Sequence, residues 1–130
     1  MTAVSPALVL AVALGGGLGA SARFVVDGLV RTRWSGVLPL ATVLINVTGS
    51  LAIGLLGGAA AFHGLGPTWL VVSTTGFCGG YTTFSTAMVE TVRLVQADEW
   101  RWAVLNAFGS LMLCVAAAAA GMGVMWVTGT

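Results

Sequence analysis

No Asp, Glu, Lys or Arg occurs before Arg23, between Arg33 and Glu90, or after Arg101. Uncharged stretches of this length constrain the fold more than any other feature, because a helix crosses the hydrocarbon core of a bilayer with roughly 20 apolar residues. Turn residues and the few charges divide the chain into four such runs, at residues 4–26, 37–62, 69–92 and 102–127. Charged residues make up 7% of the chain and hydrophobic ones 58%. A soluble domain carries about 25% charged residues to clothe its surface. So few charges cannot cover a water-facing surface, and the solvent is therefore largely lipid. No Lys or Arg precedes the first run, which is read as a retained span rather than a cleaved leader.

The expected fold is an all-α membrane protein: one domain over residues 1–130 with four transmembrane helices. Short connections make successive helices antiparallel neighbours. Trp34, Trp69, Trp100, Trp102 and Trp126 all fall at the ends of the runs, the interfacial position of an indole. The chain has 19 glycines. They would weaken exposed soluble helices, but in lipid they let backbones approach. Gly15 and Gly19 form one four-spaced pair. Asn46, Ser50, Gly54 and Gly58 form a four-spaced row, and Gly109 with residues 116–121 gives the last run a smooth face. Packing this tight leaves little room for a wide pore within one subunit, so a conduction path calls for a second one.

Residues 76–86 read Gly-Phe-Cys-Gly-Gly-Tyr-Thr-Thr-Phe-Ser-Thr in the middle of the third run. Gly79 and Gly80 followed by Thr82 and Thr83 are poor material for an unbroken helix, since glycine permits unusual φ and the hydroxyls bond freed backbone groups. The pattern predicts a break in the helix. At membrane depth such backbone survives only where it is buried in protein or lines a polar cavity. The half-helix ends would offer carbonyls to a cation and amides to an anion. The alternative is a kinked, packed helix whose hydroxyls bond their own carbonyls.

Asn46 lies in the second run with no charge beside it, either bridging helices or facing an ion path. Asn106 and Ser110, four apart, either extend a polar track or form a second bridging point. Arg23 shares a face with Asp27 and either reaches for the interface or draws anions into a vestibule. Glu90 and Arg93 are spaced to pair. Cys78 and Cys114 are too few for a disulfide framework and read as packing residues. The chain has no Lys, no basic patch and no catalytic constellation. It is expected to be neither a nucleic-acid binder nor an enzyme.

Four blocks carry a resemblance to the Fluc (CrcB) family of fluoride channels along nearly the whole chain: residues 19–24 ending in Arg23; Asn46 to Ser50 with Gly54; residues 76–86 with Glu90; and, less specifically, Asn106 with Ser110. The resemblance implies an antiparallel, dual-topology-type dimer in the cell membrane, with two narrow fluoride pathways along the subunit interface and passive export that lowers cytoplasmic fluoride. By motif position Asn46, Phe84, Ser85 and Thr86 would line a pathway, with Asn106 and Ser110 on the polar track and Arg23 in the vestibule. The carbonyls of Gly79 and Thr82 would hold a structural sodium ion shared with the second subunit. The chain departs from the family pattern at Ala87, where a second Phe is usual, and at Asn106, where many members carry Tyr.

Arg31, Arg33, Arg93 and Arg101 all flank the first and third connections, with no Lys or Arg elsewhere in the connections or termini. This places the odd connections in the cytoplasm. A one-sided bias together with Ala87 suggests a pair with an oppositely oriented homologue, against which stands a homodimer. The rival functions are a small proton-coupled exporter, which would need a carboxylate deep in a helix, and a non-conducting membrane subunit, which would not need the Gly-Gly-Tyr-Thr-Thr break.

Overall fold

The computed structural model describes residues 5–129 and is all-helical among them. Helix α1 (Pro6–Arg31) opens on a proline, whose missing N–H costs nothing at a first turn. It runs beyond the expected end at residue 26, because Asp27 and Arg31 alter the helix surface without interrupting its backbone; the expected start at residue 4 lies outside the described residues. Helix α2 (Leu40–Phe62) begins after Pro39, later than the expected residue 37, and ends before Gly64, whose φ is +70°. Helix α3 covers residues 67–81, and its middle, Val72–Cys78, is widened into i→i+5 bonding. Helix α4 (Phe84–Gln96) follows after two extended residues. A turn through Asp98, at φ 62°, leads into α5 (Trp100–Gly129), which is widened in the same way over Leu105–Gly109.

By length and composition α1, α2 and α5 can each cross a bilayer. The third path is divided between α3 and α4, so neither piece spans by itself. Helix α4 has 13 residues. At 1.5 Å of rise per residue, a helix of that length reaches only about 20 Å. Large apolar side chains such as Leu10, Leu14, Leu18, Leu113 and Val127 point outward, while the buried positions, Val43, Ile45 and Leu94 apart, hold small or polar residues such as Ala41, Thr42, Cys78, Ala103 and Asn106. That inversion suits a chain whose surrounding solvent is apolar, where helices associate by close backbone contact rather than by hiding leucines.

Two glycine contacts make the bundle. In the first, α1 crosses α3: a Cβ on Gly19 would overlap the carbonyl of Phe77, and one on Gly80 would overlap the carbonyl of Gly16. In the second, α2 lies along α5, with Gly54 against the carbonyl of Ala118 and Gly121 facing Leu51 O, which a Cβ would approach to 2.6 Å. The smooth face expected through Gly109 is smaller than the sequence suggests, because the nearest atom to a Cβ there is its own helix's Leu105 at 4.0 Å.

Polar contacts tie the two ends. At one, Arg31 Nε donates to Asp27 Oδ2 (2.7 Å) and its Nη2 to Glu90 Oε1 (2.9 Å), bringing the end of α1 to α4. The expected pairing of Glu90 with Arg93 is thereby corrected. Glu90 binds Arg31 rather than Arg93, and Asp27 binds Arg31 as well, because Arg31 is placed to reach both carboxylates. At the other end His63 Nε2 meets Met125 O at 3.0 Å and Thr128 Oγ1 at 3.1 Å, fastening the end of α2 to α5. The tryptophans sit at the ends of elements and are exposed or nearly so, as are the outward-facing aliphatic residues.

Candidate functional site

Thr82 makes the last i→i−4 bond of helix α3. Cys78 O accepts both the Thr82 amide and the Thr82 hydroxyl, each at 2.9 Å. Beyond it Thr82 (ψ 159°) and Thr83 (ψ 113°) are extended. The Thr83 amide therefore does not return to its own helix. It donates to Asn46 Oδ1 at 2.8 Å, while Asn46 Nδ2 donates to Thr83 O at 2.9 Å. One side-chain amide of α2 thus serves the peptide groups on both sides of a residue that neither helix can serve. Thr83 then caps α4, its hydroxyl accepting from the Thr86 amide (3.2 Å) and donating to Thr86 Oγ1 (2.9 Å). Gly49 makes room for this, since a Cβ there would run into the Thr82 methyl.

A cavity lies on each side of the extended pair. The first, of about 340 Å³, is lined by Arg23, Thr42, Thr83 and Thr86, with Asp27 and Arg31 at its charged side. Arg23 Nη1 donates to Thr82 O at 3.2 Å, so its cation lies against the carbonyl freed where α3 ends. Thr42 Oγ1 is buried and has no hydrogen-bond partner among the described residues.

The second is an open groove of about 470 Å³, lined by Asn46, Ser50, Phe84, Ala87, Phe108 and Ser110 among others, with Asn106 at its base. Asn106 spends both amide hydrogens inside the fold, on Ala87 O (3.2 Å) and Thr91 Oγ1 (2.8 Å). Thr91 in turn donates to Ala87 O at 2.8 Å, so a reversed Asn106 amide would set oxygen against oxygen. What Asn106 leaves over is an acceptor, the buried Oδ1. Ser110 Oγ is also buried without a partner among the described residues, and as a hydroxyl it can donate. Phe84, 77% exposed, stands at the rim.

The residues expected to act together are divided between these spaces. Asn46, Phe84, Asn106 and Ser110 share the groove, Arg23 and Thr86 share the smaller cavity, and Ser85 opens with Thr86 toward Arg31 and Arg93. Thr83 is the centre of the site and is absent from the expected set. Its signal is the second hydroxyl of the Thr-Thr pair, but nothing in the sequence names Asn46 as its partner. Thr42, one helical turn before Asn46, is legible by spacing.

For a cation, the oxygens to consider are those of Gly79 and Thr82. Gly79 is exposed, and the nearest atom to a Cβ there is Thr74 O at 3.7 Å. Thr82 O accepts from Arg23, and a carbonyl oxygen has a second lone pair to give. Uncharged backbone oxygens are the ligand type a small hard cation takes, though at Thr82 the ion would share its carbonyl with the Arg23 guanidinium.

The sequence matches the family described as CrcB-like protein, Camphor Resistance (CrcB), over residues 10–122. It is 51% identical to the fluoride-specific ion channel FluC 1 of Leifsonia xyli subsp. xyli, over 97% of this chain and 90% of that one. It is 46% identical to FluC 2 of Cutibacterium acnes (85% of this chain, 91% of that one) and 42% identical to FluC 1 of Yersinia pestis (83% and 88%). A match of this length and identity, on a chain with three bilayer-length helices and a third path interrupted at Thr82 and Thr83, makes the protein a member of the CrcB family of membrane channels.

Proposed function

We propose that this chain is a subunit of a fluoride-selective channel that lets fluoride leave the cell passively. The observation that carries the reading is the interruption at Thr82 and Thr83, held open by Asn46 and flanked by two cavities. Fluoride is small and strongly hydrated, so a path must replace water with donors without trapping the ion. The donors are at hand. Asn46 has a second amide hydrogen beyond the one given to Thr83, Ser110 has an unspent hydroxyl, and Thr86 accepts from Thr83 and so keeps its own proton to offer. Phe84 can meet an anion through its positive ring edge. Arg23 supplies positive potential beside Thr42 and Thr86.

The same reading takes the interruption to lie within the membrane and the channel to be an antiparallel pair. The groove is open on one side and Phe84 projects from it, so a second subunit is needed to close the path. Gly79 and Thr82 carbonyls from both subunits would hold a structural sodium ion at the interface, which supplies a fixed positive charge between them. The pairing of Arg31 with Glu90 supports placing Arg31, Arg33, Arg93 and Arg101 at one end, a bias that favours an oppositely oriented homologue as partner.

The test is fluoride efflux from liposomes holding this chain alone, and then this chain with such a homologue, with chloride as the control. Fast efflux selective for fluoride under either condition is the expected result. A well-folded protein that passes no fluoride under both overturns the reading, and efflux from the chain alone overturns the need for a different partner.

A further inference from the structure

Ala87 offers no ring to the groove that it lines. Ala87 is only 7% exposed and lines the groove, so a small side chain stands where a second ring would be expected. The two aromatic side chains lining that groove are Phe84 from α4 and Phe108 from α5. Phe108 is 65% exposed and, like Phe84, projects from its helix rather than packing beneath it. On a regular helix Phe108 would point about 200° away from Asn106 and about 200° from Ser110. The helix is widened into an i→i+5 turn over Leu105–Gly109, and residues 106, 107, 108, 110 and 111 of this stretch and the next turn all line the same groove. Widened turns of this kind recur at functional sites.

We infer that Phe108 is the second aromatic wall of the anion path, taking from α5 the role that Ala87 cannot play from α4. The inference rests on the fluoride-channel reading above. A ring edge on each wall of the groove meets an anion from two sides, while Asn46 and Ser110 provide hydrogen-bond donors. With Phe108 in place the chain has two rings of its own per groove, and Ala87 ceases to be a reason for a specialised partner.

The experiment is fluoride efflux from liposomes for wild type, Phe108→Ile, Phe108→Met and Ala87→Phe/Phe108→Ile, with each variant's elution and melting measured in detergent. The two aliphatic variants are expected to lose tenfold or more of the rate while assembling normally. The double variant, which moves the ring from α5 to the α4 wall of the groove, is expected to regain at least a third of it. If Phe108→Ile fails to assemble, Phe108→Met carries the same comparison. Rates within twofold of wild type in an aliphatic variant, or a loss that Ala87→Phe does not restore, overturn the role of Phe108 and leave the channel reading standing. A wild-type protein that passes no fluoride either alone or with an oppositely oriented homologue overturns both.

Discussion

Asn46 and Thr83 face each other as two complementary pairs of hydrogen-bonding groups: Oδ1 takes the Thr83 amide at 2.8 Å and Nδ2 gives to the Thr83 carbonyl at 2.9 Å. A side-chain amide thereby does for one residue what a neighbouring strand does in a sheet. The partners also fix the orientation of the Asn46 amide, since a reversed one would oppose donor to donor and acceptor to acceptor.

Asn46→Leu keeps the branching of the side chain and removes both bonds. It leaves the Thr83 amide and carbonyl unsatisfied, at about 1–3 kcal/mol each. The expected outcome is a clearly lowered melting temperature in detergent with fluoride efflux abolished. A variant that melts with wild type would show that the clamp is dispensable.

Asn106→Leu should behave differently, although both residues are asparagines in apolar helices. Ala87 O keeps the Thr91 hydroxyl as donor, and the substitution removes the orphaned Oδ1. The expected stability change is within about 1 kcal/mol, with fluoride efflux retained. Thermal unfolding of the two variants side by side checks the contrast.

Glycine substitutions separate packing from propensity. Gly19→Ala places a methyl on the carbonyl of Phe77 and is expected to prevent α1 from seating on α3, read as loss of the folded peak in size exclusion. A methyl at Gly17 meets nothing within 4 Å. Gly17→Ala is therefore expected to be neutral or to stabilise by up to about 1 kcal/mol, the ordinary helix preference for Ala.

At the charged end the two partners of Arg31 are unequal. The Asp27 side chain is 33% exposed and that of Glu90 11%. Asp27→Asn, which breaks the more exposed pair, is expected to cost less than about 1 kcal/mol. Arg31→Gln strands the largely covered Glu90 carboxylate and is expected to cost more. Chemical denaturation of both variants, with Arg31→Gln/Glu90→Gln as the rescue, measures the difference; equal losses would count against it.

Much of the fold is legible in one dimension. Uncharged runs locate the helices, the Gly15–Gly19 spacing marks the α1 face that meets α3, and Gly-Gly-Tyr-Thr-Thr marks the stretch that contains the extended pair. The charge pairs are less legible. Spacing puts Arg23 beside Asp27 and pairs Glu90 with Arg93 because they are neighbours on one helix, whereas the fold offers Arg23 the freed carbonyl of Thr82 and offers Arg31 to both carboxylates. Spacing along a helix identifies which side chains share a face, but not which competing partner crosses to them from another helix.

The sequence by itself determined that this chain lives in lipid, that its helices meet through glycine, and that its third path is the chemically unusual one. These are consequences of composition and period, and they hold for any arrangement of the four runs. Only the tertiary structure decided that Asn46 serves Thr83, that Asn106 turns its donors inward, and that Phe108 lines the groove with Phe84. The physical reason is the same in each case. A hydrogen bond or a shared groove depends on angstrom-scale positions set by backbone-to-backbone packing, which leaves no mark in the periodicity of the residues that carry them.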